Sequence, residues 1–226
     1  MRKIFFLLVL IFMTTKHDAG STNLKTMTYT YLALGDSYTI GESVLPAENF
    51  PNQVVQLLKK SDIQFQSTEI IAKTGWTTDE LKEAISKREL LPFYDFVTLL
   101  IGVNNQYRGR DIENYKTEFE DLLLQAIRLA NGKNDRVIVL SIPDWGVTPF
   151  AEGRDREKIK KEIDEYNAAK KIITEKHKVH FIDITHGTRE AAKDLSLLAA
   201  DGLHPSAKDY SRWAEKVFAI IKNQLL

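Results

Sequence analysis

Short apolar segments alternate with longer amphipathic segments from residue 28 to the C-terminus. The apolar segments are rich in Val, Ile, Leu, Phe and Tyr, and they predict strands over 28–34, 65–72, 96–101, 136–142 and 179–184. The amphipathic segments predict helices over 50–60, 78–88, 112–131, 156–177 and 207–224. Strands that alternate with helices are typical of a parallel sheet. The sequence therefore predicts an α/β fold, a flavodoxin-like three-layer α/β/α sandwich around a five-stranded parallel sheet.

Local residue chemistry supports several helix boundaries. Asp111 is a candidate N-cap for the helix that begins at the next residue, and Asn131 and Gly132 tolerate the left-handed conformation that ends it. Ser206, followed by Asp209, resembles a capping signal for the last helix. The charged residues of 154–178 are predicted to form a solvated helix face.

Residues 1–20 are predicted to be a secretory signal, because Arg2 and Lys3 precede an apolar run from Ile4 to Met13. That run is too short to cross a bilayer, which needs about 20 residues. We expect cleavage near residue 19 or 20, a linker over 21–27 and one domain over 28–226. The chain is therefore expected to be exported, to the periplasm or out of the cell, without a stable membrane span in its mature form.

Composition excludes some classes of protein. The 31 basic and 31 acidic residues cancel, so no overall field attracts nucleic acid, and we expect no nucleic-acid partner. The chain has no cysteine, which excludes a lipid anchor on a lipobox cysteine. A chain of 226 residues is long enough to bury a core without disulfides.

Residues with catalytic potential follow the predicted strands, and such residues meet at one edge of a parallel sheet. Ser37 follows the first strand, Gly75 the second and Asn104 the third, while Asp201 and His204 precede the last helix. A serine hydroxyl becomes an effective nucleophile when a histidine accepts its proton and a carboxylate orients that histidine. The sequence therefore predicts a site of the Ser–His–Asp type at this edge.

The order of these motifs resembles that of the SGNH hydrolases, the GDSL esterase and lipase family, from about residue 28 to the C-terminus. The resemblance implies that Ser37 is the nucleophile, His204 the general base and Asp201 the residue that orients His204. It also implies an oxyanion hole formed by the backbone N–H groups of Ser37 and Gly75 and by the side-chain amide of Asn104. The implied mechanism uses an acyl-enzyme and neither a metal nor an organic cofactor.

The sequence departs from the family pattern at two positions. Tyr38 stands where the GDSL motif has leucine, and Asn105 stands where an aspartate often follows the third motif. The resemblance assigns neither residue a chemical role. Thr39 occupies the place of the last glycine of a Gly-x-Ser-x-Gly elbow. This motif of another class of hydrolases is therefore absent from the sequence.

Several residues allow a second interpretation. Asp183 and His186 repeat the Asp-x-x-His spacing, but Gly187 and Thr188 after them indicate a looser turn than the segment after His204, so we favour Asp201 and His204. Gly75 is identified mainly by its place after a strand, and a turn alone would explain it.

The roles of two histidines and two tryptophans are structural or stay open. The pair His177 and His180 lies at a helix-to-strand junction, and we predict structural roles for both and no metal site. Trp76 and Trp145 are equally good candidates for lining a substrate pocket and for simple loop packing.

The predicted function is hydrolysis of a small or lipid-like carboxylic ester, as in an esterase or lysophospholipase. The expected partner is a small-molecule, lipid or glycan ester. The alternatives are a carbohydrate deacetylase of the same fold, an acyltransferase and a non-catalytic glycan- or lipid-binding module. The acyl and alcohol groups and the oligomeric state are not determined by these patterns.

Overall fold

The computed structural model describes residues 27–226. The predicted signal segment and all but the last residue of the predicted linker lie outside the described residues. The prediction that 28–226 form one domain stays a prediction.

A parallel sheet of five strands forms the centre of the fold, in the spatial order β4-β2-β5-β6-β7. These strands are β2 (Tyr31–Asp36), β4 (Glu69–Lys73), β5 (Phe96–Leu100), β6 (Val137–Leu140) and β7 (His180–Ile182). Two shorter strands, β1 (Thr28–Tyr29) and β3 (Gln64–Phe65), pair with each other in parallel. The predicted α/β class and five-stranded parallel sheet are confirmed.

Helices cover both faces of this sheet. They are α1 (Ser37–Ile40), α2 (Phe50–Lys60), α3 (Thr78–Ser86), α4 (Val103–Tyr107), α5 (Ile112–Leu129), α6 (Arg156–Lys176), α7 (Thr185–Thr188) and α8 (Ala207–Leu225). Helix α2 packs on α8, whereas α5 packs on both α3 and α6. The connection from β2 to β4 runs toward one edge of the sheet, whereas the connections from β4 to β5, β6 and β7 run toward the other edge. Because crossovers between parallel strands are right-handed, these two groups of helices lie on opposite faces of the sheet.

The strand β2 lies between β4 and β5, so the direction of strand addition reverses at this strand. Ligand sites in open parallel sheets form beyond the carboxyl ends of the strands at such a switch point. All six residues of β2 are buried, as are all residues of β5 and β6. The residue that follows β2 is therefore carried on the most enclosed part of the sheet.

The first predicted strand, 28–34, is interrupted in the structure at Thr30. The Thr30 backbone N–H donates to Asp95 Oδ2 at 2.8 Å, and its hydroxyl donates to the same oxygen at 2.9 Å. The Asp95 side chain thus takes the place of a neighbouring strand as the partner of the Thr30 N–H group. The predicted strand is therefore divided into β1 and β2.

The helix boundaries agree with the local signals at both α5 and α8, but the side-chain capping bond forms only at α5. Asp111 accepts hydrogen bonds from two backbone N–H groups of the first turn of α5, and Asn131 has a left-handed φ of 57°. Ser206 precedes α8 as predicted, but its side chain does not cap the helix. The Ser206 hydroxyl instead donates to the Ser196 carbonyl oxygen at 2.7 Å.

Candidate active site

Ser37 begins α1 directly after β2. The Asp36 side chain accepts the Tyr38 backbone N–H at 3.0 Å and caps this short helix. A Cβ on Gly35 would lie 2.1 Å from Thr39 Oγ1 and 2.4 Å from the Leu100 carbonyl oxygen. Glycine therefore permits the tight turn that brings α1 back over the end of the sheet.

The structure brings Ser37, His204 and Asp201 into one hydrogen-bonded chain. His204 Nε2 lies 2.9 Å from Ser37 Oγ, although the two residues are 167 positions apart. His204 Nδ1 lies 2.6 Å from Asp201 Oδ2. Ser37 is 4% exposed and His204 is 6% exposed, so little water competes with these contacts.

Asp201 receives hydrogen bonds on both carboxylate oxygens. Oδ1 accepts the backbone N–H groups of Leu203 at 3.0 Å and His204 at 2.9 Å, and Oδ2 accepts the Ser43 hydroxyl at 2.7 Å. Partial burial raises the pKa of Asp201, but hydrogen bonds from Ser43, His204 and Leu203 outweigh burial and lower the pKa to about 2. The carboxylate is thus ionised at neutral pH. The carboxylate accepts a hydrogen bond from the N–H group at Nδ1 of His204. With the ring proton on Nδ1, the lone pair of His204 Nε2 faces the Ser37 hydroxyl.

Gly75 and Asn104 lie beside Ser37 on the wall of one cavity. Gly75 has a φ of 85°, a conformation that favours glycine, and its carbonyl oxygen accepts Arg108 Nη2 at 2.6 Å. Asn104 Nδ2 donates to the Trp76 carbonyl oxygen at 3.0 Å. An amide nitrogen carries two N–H groups, so one remains to donate to a bound molecule.

The Tyr38 ring packs against the imidazole of His204. The two ring centroids are 5.1 Å apart, and Tyr38 is 4% exposed. Burial raises the pKa of Tyr38, so its hydroxyl stays neutral. The departure from leucine at this position therefore places an aromatic ring beneath the histidine.

A buried acid and a buried base lie below the site. Asp36 and Lys170 are both fully buried, and Lys170 Nζ donates to the Leu140 carbonyl oxygen at 3.0 Å. Burial raises the pKa of Asp36 and lowers that of Lys170, while their mutual attraction opposes both shifts. The prediction that the charged residues of 154–178 form a solvated face was wrong for Lys170.

The cavity beside Ser37 has a volume of about 160 Å³. We define the aromatic wall of this cavity as Tyr107, Trp145 and Phe150, whose ring centroids lie between 5.3 and 6.2 Å apart. The Arg154 guanidinium carbon lies between 5.2 and 5.5 Å from all three ring centroids, and Arg154 Nη2 donates to the Tyr107 hydroxyl at 3.1 Å. Arg154 thus makes cation–π contacts with all three rings.

The model of the GDSL-like lipase/acylhydrolase family matches residues 33–212, which is most of the chain. The chain belongs to the GDSL-like lipase/acylhydrolase family. The resemblance inferred from the motif order is thereby confirmed.

A curated relative of this GDSL-family chain is an acetylxylan esterase from Geobacillus stearothermophilus, which is 27% identical over 146 residues. The match covers 59% of this chain and 62% of the esterase.

Solved structures share the fold over most of both chains. A lipase/acylhydrolase from Enterococcus faecalis superposes with a TM-score of 0.69 at 19% identity, covering 87% of this chain and 96% of the other. The acetylxylan esterase structure from Geobacillus stearothermophilus gives a TM-score of 0.66 at 22% identity, covering 85% and 94%. At these identities the likeness establishes the fold.

The competing residues of this GDSL-family chain lie away from the cavity. His186 is exposed, and its backbone N–H donates to Asp183 Oδ1 at 3.3 Å. His177 Nε2 lies 2.6 Å from Glu120 Oε1, a partner distant in the sequence. Within 27–226 no cluster of three or more His, Asp or Glu side chains has the arrangement of a metal site.

The two tryptophans have different places. Trp145 lines the cavity, and its Nε1 donates to Gln106 Oε1 at 2.8 Å. Trp76 packs against the core and contributes its carbonyl oxygen to the bond with Asn104.

Across 27–226, helices are too short or too polar to span a bilayer.

Sequence reasoning missed Ser43, Arg108 and Arg154. Each contacts a site residue through the fold and carries no local motif. In the aromatic wall, Tyr107 was not predicted, because it lies in a polar helix.

Proposed function

We propose that the protein hydrolyses carboxylic esters with short acyl groups through an acyl-enzyme on Ser37. The observation that carries this proposal is the continuous hydrogen-bonded chain from Asp201 through His204 to Ser37, which opens onto a cavity of about 160 Å³. Membership of the GDSL-like lipase/acylhydrolase family supports the same chemistry.

In the first step, Ser37 Oγ attacks the ester carbonyl carbon while His204 Nε2 accepts the hydroxyl proton. Asp201 stabilises the imidazolium that forms. The carbonyl oxygen becomes an oxyanion, which accepts hydrogen bonds from the backbone N–H groups of Ser37 and Gly75 and from Asn104 Nδ2. The carbon–oxygen bond to the alcohol then breaks, and the alcohol leaves with the proton from His204.

In the second step, water replaces the alcohol. His204 accepts a proton from the water as its oxygen attacks the acyl carbon, and the same donors stabilise the second oxyanion. Collapse of this intermediate breaks the bond to Ser37 Oγ, which regains a proton from His204. The products are a carboxylic acid and the free enzyme, and the cycle consumes one water.

We expect Asn104→Ala to lower kcat by about 10² to 10³, because one preorganised donor to the oxyanion is lost. Steady-state kinetics on p-nitrophenyl acetate measure the effect. Asn104→Asp keeps the shape of the side chain, but it lacks the N–H donor and adds a negative charge beside the oxyanion, so it should lose at least as much as Asn104→Ala. A kcat within threefold of the parent in both variants would contradict the role of Asn104.

The size of the cavity supports a short acyl group. An engineered protein cavity of about 150 Å³ holds one benzene molecule. A cavity of about 160 Å³ therefore accommodates an acetyl to butyryl group, and the aromatic wall closes one side of it.

We expect kcat/KM for p-nitrophenyl esters to be highest at two to four acyl carbons and to fall at least about tenfold at eight carbons. Phe150→Ala should reduce this fall, because Phe150 lines the cavity and its side chain is partly exposed at the mouth. A parent enzyme that prefers octanoate or laurate would contradict the short-chain proposal.

A carbohydrate ester is the second candidate substrate. The acetylxylan esterase match favours it, and so do the half-exposed rings of Tyr107 and Phe150 beside the cavity, which offer flat apolar surfaces. Acetate release from acetylated xylo-oligosaccharides, measured beside fatty-acid release from a lysophospholipid, separates a glycan ester from a lipid ester.

Two other activities are separated by direct experiments. A non-catalytic binding module would not label at Ser37 with a fluorophosphonate probe, whereas the proposed enzyme would. An acyltransferase would label, and its acylated acceptor would appear in product analysis.

Export of the protein through its N-terminal segment is likewise a proposal, based on the sequence of 1–20.

A further inference from the structure

Ser43 lies six residues after Ser37, in the turn that follows α1. Its hydroxyl donates to Asp201 Oδ2 at 2.7 Å, across 158 positions of sequence. The same oxygen lies 2.6 Å from His204 Nδ1. Ser43 thus shares one carboxylate oxygen with the histidine of the site.

The backbone of Ser43 is held in an uncommon conformation. Its φ is 65°, a left-handed value that is unfavourable for residues with a Cβ. Hydrogen bonds fix the turn around it: the Gly41 and Glu42 N–H groups donate to the Ser37 carbonyl oxygen at 3.1 and 3.0 Å, and the Val44 N–H donates to the Gly41 carbonyl oxygen at 3.3 Å. The turn keeps the Ser43 hydroxyl directed at Asp201 at the expense of backbone strain.

The segment 37–43 therefore contacts the Asp201–His204 loop at two points. One is the bond between Ser37 and His204, and the other is the bond between Ser43 and Asp201. In the proposed mechanism the Ser37–His204 bond is lost whenever the serine oxygen bonds to the acyl carbon. The bond from Ser43 persists through the cycle, because neither of its groups changes its covalent bonds.

We propose that Ser43 is a positioning residue that holds Asp201, and through it His204, in register with Ser37 while the acyl-enzyme exists. This inference rests on the proposed acyl-enzyme function. Backbone N–H groups fix Oδ1 of Asp201 within its own loop, and Ser43 fixes Oδ2 relative to the segment that carries the nucleophile. Ser43 touches neither substrate nor reacting atoms.

The test compares Ser43→Ala with Ser43→Gly. Both remove the hydroxyl, but glycine also relieves the left-handed strain, so Ser43→Gly should unfold at a higher temperature than Ser43→Ala. We expect both variants to lose about tenfold in kcat on p-nitrophenyl acetate with KM within about twofold, because a hydrogen bond to a charged group is lost.

The pH profile separates positioning from a merely structural role. Without the Ser43 donor, Oδ2 retains more negative charge and stabilises the imidazolium more strongly. The acid limb of the kcat/KM profile should therefore move to higher pH in both variants. Asp62→Gly is the matched control, since Asp62 is exposed and has a φ of 61°; it relieves similar strain and should leave kcat and the profile unchanged.

Two results would overturn the inference. In one, both Ser43 variants keep kcat within twofold of the parent and an unchanged acid limb. In the other, only Ser43→Ala loses activity, in proportion to its lower melting temperature. Fluorophosphonate labelling of the parent at Ser37 tests the proposed function separately: a labelled parent with fully active Ser43 variants overturns the Ser43 inference alone, and an unlabelled parent overturns both.

Discussion

Ser37→Ala is expected to lower kcat on p-nitrophenyl acetate by roughly 10⁵ to 10⁶. The Ser37 oxygen is 2.9 Å from His204 Nε2 and would form the bond to the acyl group, so alanine removes the covalent step. The remaining activity would come from the oxyanion donors and from substrate binding. Folding should be preserved, because the side chain that caps α1 is that of Asp36 and not that of Ser37.

Two measurements test this expectation together. Steady-state kinetics give the loss in kcat, and a fluorophosphonate probe should label the parent and not Ser37→Ala. Ser86→Ala is the control, since Ser86 is an exposed serine at the end of α3 and should label and turn over like the parent. A folded Ser37→Ala enzyme that retains a tenth or more of the parent rate would contradict the acyl-enzyme mechanism.

Asp201→Asn is expected to lower kcat by roughly 10⁴. The two backbone N–H groups at Oδ1 would hold the amide oxygen of asparagine, so its NH₂ group would face Ser43 and His204 Nδ1. Nδ1 would then have to accept a hydrogen bond, which places the ring proton on Nε2. A protonated Nε2 cannot accept the proton of Ser37, so the loss arises from the wrong tautomer while the shape of the site is kept.

The pKa of Asp201 adds a test of stability. Its folded pKa of about 2 lies below the ordinary value for an aspartate, so ionisation of Asp201 stabilises the fold above about pH 4, and this contribution is lost as the pH falls toward 2. In thermal unfolding, the melting temperature of the parent should be higher than that of Asp201→Asn at pH 7, and the difference between the two melting temperatures should be smaller at pH 3. A difference that grows on acidification, or an Asp201→Asn enzyme with the full parent rate, would contradict this account of the carboxylate.

The order along the chain of the five strands of the central sheet and of the five longer helices could be predicted from the sequence. Strands buried on both faces are continuous apolar runs, so β5 and β6 were predicted within a few residues of their observed bounds. The break at Thr30 was not predictable, because it depends on the carboxylate of Asp95, which the fold places beside it. The prediction of strands therefore fails where a partner distant in the sequence replaces the ladder.

The same distinction applies to the site. Ser37, Asp201 and His204 could be predicted as candidates from the sequence, because their motifs are local and ordered along the chain. The contact of Ser43 with Asp201 could not be predicted, because the two residues are 158 positions apart in the sequence. Lys170 was misjudged, since a lysine in a charged helix is ordinarily solvated, and only the packing of α6 against the sheet buries it.

The two halves of the site have unequal mechanical support. The serine follows β2, a central strand whose displacement would require the disruption of two neighbouring strands, whereas the imidazole lies on a loop outside the sheet. Local opening of a protein involves its weakly supported segments before its central strands. We therefore expect mild heating or denaturant to separate His204 from Ser37 while the sheet persists, so that the proposed activity would be lost before the global structure.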